Sequence, residues 1–200
     1  MKILVIVAHP CRESFNHAIA WKAAGTLKMN GHEVILHDLY EENFDPRLTC
    51  GEIPKNSEMG SEIKRHTGEL AESQGLIFVH PNWWGQPPAL LTGWIDRVLR
   101  PGVAYEFMEG DGGEGVPSGL LRGKRALVIN TSNTPHDRET GFFGDPLDAI
   151  WKKCIFEFCG ITDYFRKTFS VIVTSTHEMR CQWLSEVAGM VNDYFPRETG

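Results

Sequence analysis

Residues 75–88 read GLIFVHPNWWGQPP: an apolar run, a proline-bounded turn, and two adjacent tryptophans inside that turn. GLIFV is too short for a helix and is rich in strand-forming residues, so Gly75 to Val79 predicts a buried strand. Pro87 and Pro88 stiffen the exit, and ALLTGWIDRVL predicts a helix over about Ala89 to Leu99. A strand without polar/apolar alternation is covered on both faces, as in a parallel sheet flanked by helices. Trp83 and Trp84 lie at its carboxyl end and cannot both enter one core.

The same alternation extends in both directions. KILVIVA (Lys2 to Ala8) predicts a first buried strand, and SFNHAIAWKAAGTLKM (Ser14 to Met29) a helix N-capped by Ser14 and ended by Asn30-Gly31. HEVILHDL gives a strand from about Glu33 to Leu39, Tyr40 to Asn56 a long loop, and Ser57 to Ser73 a helix. RALVI (Arg125 to Ile129) predicts the fourth strand, Pro146 to Phe158 a helix, Ser170 to Val173 the fifth strand, and His177 to Tyr194 the last helix. Five strands in this order predict an α/β fold, the flavodoxin-like doubly wound five-stranded parallel sheet of order 2-1-3-4-5, with residues 1–200 as a single domain.

Composition narrows the function classes. A net charge of −6 offers no basic footprint for nucleic acid, and no run of about eighteen apolar residues is present to span a membrane. MKILVIVAHP is too short in its apolar part for a signal peptide, so a cytoplasmic location is expected. The five cysteines lack a CxxC pair, which argues against a disulfide framework and against a zinc ribbon, and no metal site is expected. Cys154 and Cys159 are read as core residues, and Cys11 as incidental.

In an open parallel sheet, ligands sit beyond the carboxyl ends of the strands at the switch in strand order. That rule selects His9 to Ser14, Pro81 to Pro88 and Asn130 to Pro135. The first loop lacks the GxGxxG and Walker patterns, yet a helix N-terminus with Ser14 and Asn16, and with His9 and Arg12 nearby, can receive a phosphate. Simple N-capping by Ser14 is the competing reading. The second loop offers aromatic rings for a flat heterocycle, with Gly85 allowing close backbone approach. The third, NTSNTP, offers small polar donors for a ring edge. Together they describe a mononucleotide with a large flat head, which suits FMN. EGDGGEG (Glu109 to Gly115) joins no strand to a helix and is acidic, so it reads as a flexible surface loop.

AHPCRESFN, PNWWGQPPALLTGWIDRVL and GVAYEF, with HDLY, FDP, GLLRGKRALV and FCGI, resemble the flavodoxin-like NAD(P)H:quinone oxidoreductases, DT-diaphorase and its smaller bacterial relatives. The resemblance implies a homodimeric flavoprotein in which His9, Ser14, Phe15 and Asn16 hold the ribityl phosphate. It places Pro81, Asn82, Trp83 and Trp84 along the isoalloxazine, and Asn130, Thr131 and Ser132 at its other edge. It further implies ping-pong hydride transfer from NAD(P)H through the flavin to quinones or related flat aromatic acceptors. Trp83 is expected to pack along the flavin and Trp84 to wall the substrate side. Smaller relatives include ancillary subunits of potassium efflux systems, so docking to a membrane transporter is the rival role.

Two departures matter. The family's Gly-x-His-Gly-Asp segment is Gly141-Phe142-Phe143-Gly144-Asp145 here, and its tyrosine position falls near Asp137. The family's charge relay is therefore missing, leaving His136 or solvent to supply protons. Gly102 replaces an acid near the adenine half of FAD in the larger relatives, which favours FMN over the alternative FAD.

Overall fold

A computed structural model describes residues 1–108, 110–111 and 113–197. Its main sheet contains β1 (Lys2–Val7), β2 (Glu33–Asp38), β3 (Gly75–Pro81), β6 (Arg125–Ser132) and β7 (Asp163–Ser170), all parallel, in the order β2-β1-β3-β6-β7. This is the predicted doubly wound topology, with a small antiparallel ribbon of β4 (Tyr105–Glu106) and β5 (Ser118–Gly119) added. Helices α1 (Phe15–Met29) and α6 (His177–Tyr194) cover one face, while α2 (Ser61–Glu72), α3 (Ala89–Val98) and the segment after α5 (Pro146–Ala149) cover the other.

The strand pleat feeds both layers. Leu4, Ile6 and Ala8 point to Phe78, Trp94 and Trp151, whereas Ile3, Val5 and Val7 point to Ile19, Ala23 and Val187. Ser14 caps α1 as expected, accepting from the His17 N–H at 3.3 Å. Gly31 leaves the helix with φ 87°, the left-handed conformation a helix terminus favours.

Several sequence boundaries move, for identifiable reasons. β7 occupies Asp163–Ser170 rather than Ser170 to Val173. As an edge strand it pairs only with β6, and its charges find partners: Arg166 with Asp145, and Lys167 with Glu186. β6 runs on to Ser132, so Asn130 to Ser132 are strand rather than loop. A short helix α4 (His136–Gly141) follows, and the helix predicted from Pro146 turns π-helical over Ile150–Glu157. That wider run brings Trp151 to 4.7 Å and Phe156 to 6.2 Å from Phe78, measured between ring centroids. Cys159 is buried there, but Cys154 is exposed and is not a core residue.

The long loop after β2 is pinned to α3. Arg97 donates to the Asp45 carbonyl at 2.6 Å and pairs with Glu52 at 2.7 Å. A Cβ on Gly93 would lie 2.4 Å from the Pro46 carbonyl oxygen, closer than any backbone tolerates. Gly93→Ala is therefore expected to destabilise the fold by about 1–3 kcal/mol in urea unfolding, as overpacking does. An unchanged midpoint would mean that the loop is not held against α3.

Candidate active site at the strand ends

Register places the site. Val7 pairs with Val79, and Pro81 with Thr131, so β1, β3 and β6 end on one rim. The Asn82 N–H extends the ladder to the Thr131 carbonyl at 2.7 Å. β1 and β3 are also where the chain reverses its direction across the sheet, the usual place for a ligand crevice. A cavity of about 370 Å³ opens there. His9, Ser14, Phe15, Asn16, Pro81, Asn82, Trp83, Thr131 and Ser132, from the three predicted segments, converge on it.

At one end is the N-terminus of α1. Ser14 is not a free donor: its hydroxyl accepts from His17 N–H and lies 3.0 Å from His17 Nδ1. His17 Nε2 meets Asp38 at 2.7 Å, and this buried Asp38–His17–Ser14 chain fixes the ring and the hydroxyl together. The Asn16 amide is likewise committed to Thr131 Oγ1 at 2.9 Å. The Phe15 and Asn16 backbone N–H groups make no hydrogen bond among the described residues and remain available at the positive end of the helix dipole. Arg180, which the sequence reading missed, also lines the cavity, held by Ser175 Oγ at 2.8 Å and the Ile172 carbonyl at 3.1 Å. Glu13, Asn133, Thr134 and Ile172 complete the lining. Arg180 and Ile172 lie beyond β7, outside the rule that singled out loops after β1, β3 and β6.

The two tryptophans separate because of their turn. Trp83 and Gln86 exchange backbone bonds at 3.2 and 3.1 Å, while Trp84 and Gly85 between them have φ 59° and 74°. Two left-handed central residues define a type I′ turn. Asn82 Oδ1 accepts from Gly85 N–H at 3.0 Å, and a Cβ at Gly85 would come within 2.7 Å of Pro146. The turn directs Trp83 into the cavity, 6.0 Å from the His9 ring between centroids, and leaves Trp84 98% exposed. Trp84 and Gly85 thus shape the turn from outside the cavity of this chain.

Asn130 also lies outside the cavity lining. Inside the sheet, its amide donates to His80 Nε2 at 2.8 Å and accepts from Arg166 at 3.2 Å. Trp151 Nε1 approaches the same His80 nitrogen at 3.1 Å. The backbone of Asn130 to Ser132 belongs to the ladder between β3 and β7, and beyond it Asn133 N–H makes no hydrogen bond among the described residues. His136 and Phe143 do not line this cavity either. In EGDGGEG, Glu109 and Gly112 lie outside the described residues, and Asp111 accepts from the Gly113 and Gly115 N–H groups.

A second polar cluster joins His37, Glu42, His66 and Glu69 on the far side of β2. Ligand-type atoms of the first three lie within 4.8 Å of one another. Their hydrogen bonding favours a structural role over metal ligation. His37 meets carboxylates at 2.7 Å on both ring nitrogens, and Trp94 Nε1 donates to His66 Nδ1 at 3.1 Å, leaving the His66 proton on Nε2. The Arg65 guanidinium supplies positive charge 3.5 Å from His66 Nε2 and 3.6 Å from Glu42.

The chain matches the family model of the flavodoxin-like fold over residues 1–179. It is 34% identical over 165 residues to an uncharacterized NAD(P)H oxidoreductase of Haemophilus influenzae, covering 80% of this chain and 79% of that protein. It is 30% identical over 185 residues to the human ribosyldihydronicotinamide dehydrogenase [quinone], covering 80% and 77%. Among solved structures, an FMN-dependent NADH-azoreductase from Bacillus anthracis in complex with FMN superposes with a TM-score of 0.74 over 96% of this chain and 99% of that one, at 19% identity. The fold and the rim cavity define a flavodoxin-like protein. Within that class, the chain belongs to the NAD(P)H:quinone oxidoreductase family.

One prediction follows from the site's buried rings. Burial lowers His80 to about 4, and burial with His37 close by lowers His66 to about 4. Both then stay neutral in the fold while the unfolded chain takes up protons below about 6.5. Their contribution is complete above pH 6.5 and falls as pH drops towards 4, by about 2 kcal/mol each at pH 5. Equal urea midpoints at pH 7 and pH 5 would contradict this.

Proposed function

We propose that the chain is a flavin-dependent NAD(P)H:quinone oxidoreductase. The observation that carries the reading is the convergence, on one cavity, of free helix-end donors, the Trp83 ring and the polar end of β6. These groups fit a phosphate-bearing, flat heterocycle: Phe15 and Asn16 N–H with Arg180 for the phosphate, Trp83 and His9 for the ring, Asn133 N–H for its polar edge. A bound flavin would supply hydride chemistry that no side chain here provides. A volume near 370 Å³ suits a mononucleotide, which supports FMN over FAD.

The protein's own part is to bind, orient and shield. The Asp38–His17–Ser14 chain holds the α1 entrance rigid, and the Asn82-braced turn fixes the Trp83 wall. Trp84 is exposed, as are Phe142 at 82% and Phe143 at 51%, whose rings meet edge to face at 5.1 Å. We take these rings to be covered by a second copy of the chain, forming a homodimer in which Trp84 walls the acceptor side. Flat apolar acceptors suit such a wall, since stacking needs no specific hydrogen bonds. Burial holds His9 below the usual histidine range.

The names of the relatives give the potassium-efflux reading no support. No helix among the described residues is long and apolar enough to cross a membrane, and a cytoplasmic protein with free thiols fits this reading.

Initial rates with NADH or NADPH and menadione should give the parallel double-reciprocal lines of a ping-pong enzyme, and intersecting lines would reject shared use of one site. Arg180→Ala is expected to weaken FMN binding about tenfold while leaving riboflavin binding nearly unchanged, because a charged hydrogen bond is lost only with the phosphate. Equal losses for both ligands would place Arg180 away from the phosphate.

A further inference from the structure

A second cavity, of about 360 Å³, adjoins the first and shares Ser132 and Thr134 with it. Its outer wall is built by His136 and Glu139 of α4, Asp145 before α5, and Arg166 of β7. A polar chamber of this size holds water. Glu139 is 8% exposed, yet its carboxyl has no hydrogen bond or ion pair with any described residue. Asp145 Oδ1 and Arg166 Nε are also buried without a hydrogen bond. The Glu139 oxygens are not among the fully enclosed unpaired atoms of the described residues, so the carboxyl opens onto the chamber.

The proposed reaction has a use for it. NAD(P)H, one proton and a quinone become NAD(P)⁺ and a hydroquinone: the hydride carries both electrons, and the second hydrogen must arrive as a proton. Phe143 cannot hold a proton, and Asp137 is exposed and lines neither cavity. We propose that Glu139 is the proton donor for acceptor reduction, acting from the chamber that meets the first cavity at Ser132 and Thr134. Its O–H bond breaks as the second O–H bond of the hydroquinone forms, and the carboxylate regains a proton from solvent past His136. The other charged groups facing it are Asp145, Arg166 and Lys167. Arg166 pairs with Asp145, and Lys167 with Glu186 at 3.3 Å, so Glu139 stands outside both ion pairs.

The inference rests on the first cavity being the flavin site, and the test separates the two claims. A wild-type protein that takes no flavin overturns both. With flavin bound, Glu139→Ala and Glu139→Gln should keep FMN affinity within about threefold of wild type while menadione turnover falls about a hundredfold, the scale of a lost general acid. Formate should restore Glu139→Ala about tenfold by entering the vacated space as a replacement acid, whereas Glu139→Gln should resist rescue. Independently of turnover, infrared difference spectra of flavin reduction should carry a carboxyl band that Glu139→Gln abolishes. Wild-type turnover in Glu139→Gln, a Glu139→Ala loss that formate does not restore, or an infrared carboxyl band that persists in Glu139→Gln would overturn the proposal. If Glu139→Ala does not fold, the Glu139→Gln spectrum and its pH–rate profile decide.

Discussion

The in-register parallel pairing of β1, β3 and β6 is the constraint on which the rest of the site depends. Backbone hydrogen bonds bring Val7, Val79 and Pro81 with Thr131 to a common rim. Each strand then releases its chain at the same height, so α1, the tryptophan turn and the end of β6 face one volume. A one-residue slip would exchange core and rim faces along the whole strand, so the hydrophobic pleat that stabilises the sheet also holds the site in place.

Behind the rim lies a buried polar support. Trp151, Asn130 and Arg166 gather around His80, whose Nδ1 lies 2.8 Å from the Pro81 carbonyl just before the turn. Arg166 reaches on to Asp145, and the next residue, Pro146, abuts Gly85. The Trp83 wall is thus braced from below through side chains far from it in sequence. Such a network favours one arrangement of the turn, because each broken bond would leave a further buried partner unsatisfied.

Much of this was legible in the sequence. The undivided apolar runs at Lys2 to Ala8 and Gly75 to Val79, with helices between strands, specify the sheet order before any motif is considered. Nine residues predicted for the cofactor do line the cavity. Polar residues inside strands hide the ends of β6 and β7. Asn130, Thr131 and Ser132 are polar because they end a buried strand beside a cavity, and Arg166 is charged inside β7 because Asp145 meets it across the layer. Arg180, Glu139 and the Asp38–His17–Ser14 chain depend on tertiary neighbours, and local periodicity gives no signal for such pairings. The double tryptophan found its explanation in backbone geometry, since only the two positive φ angles show which ring turns inward.

A flavin held in the rim cavity and open to two substrates in turn would show itself in the visible spectrum of the purified protein during anaerobic addition of NADH or NADPH and then menadione. The expected result is a flavin band bleached by at least one nucleotide, restored by menadione, and released as FMN on denaturation. A protein that binds no flavin after reconstitution, or whose bound flavin neither nucleotide bleaches, would contradict it.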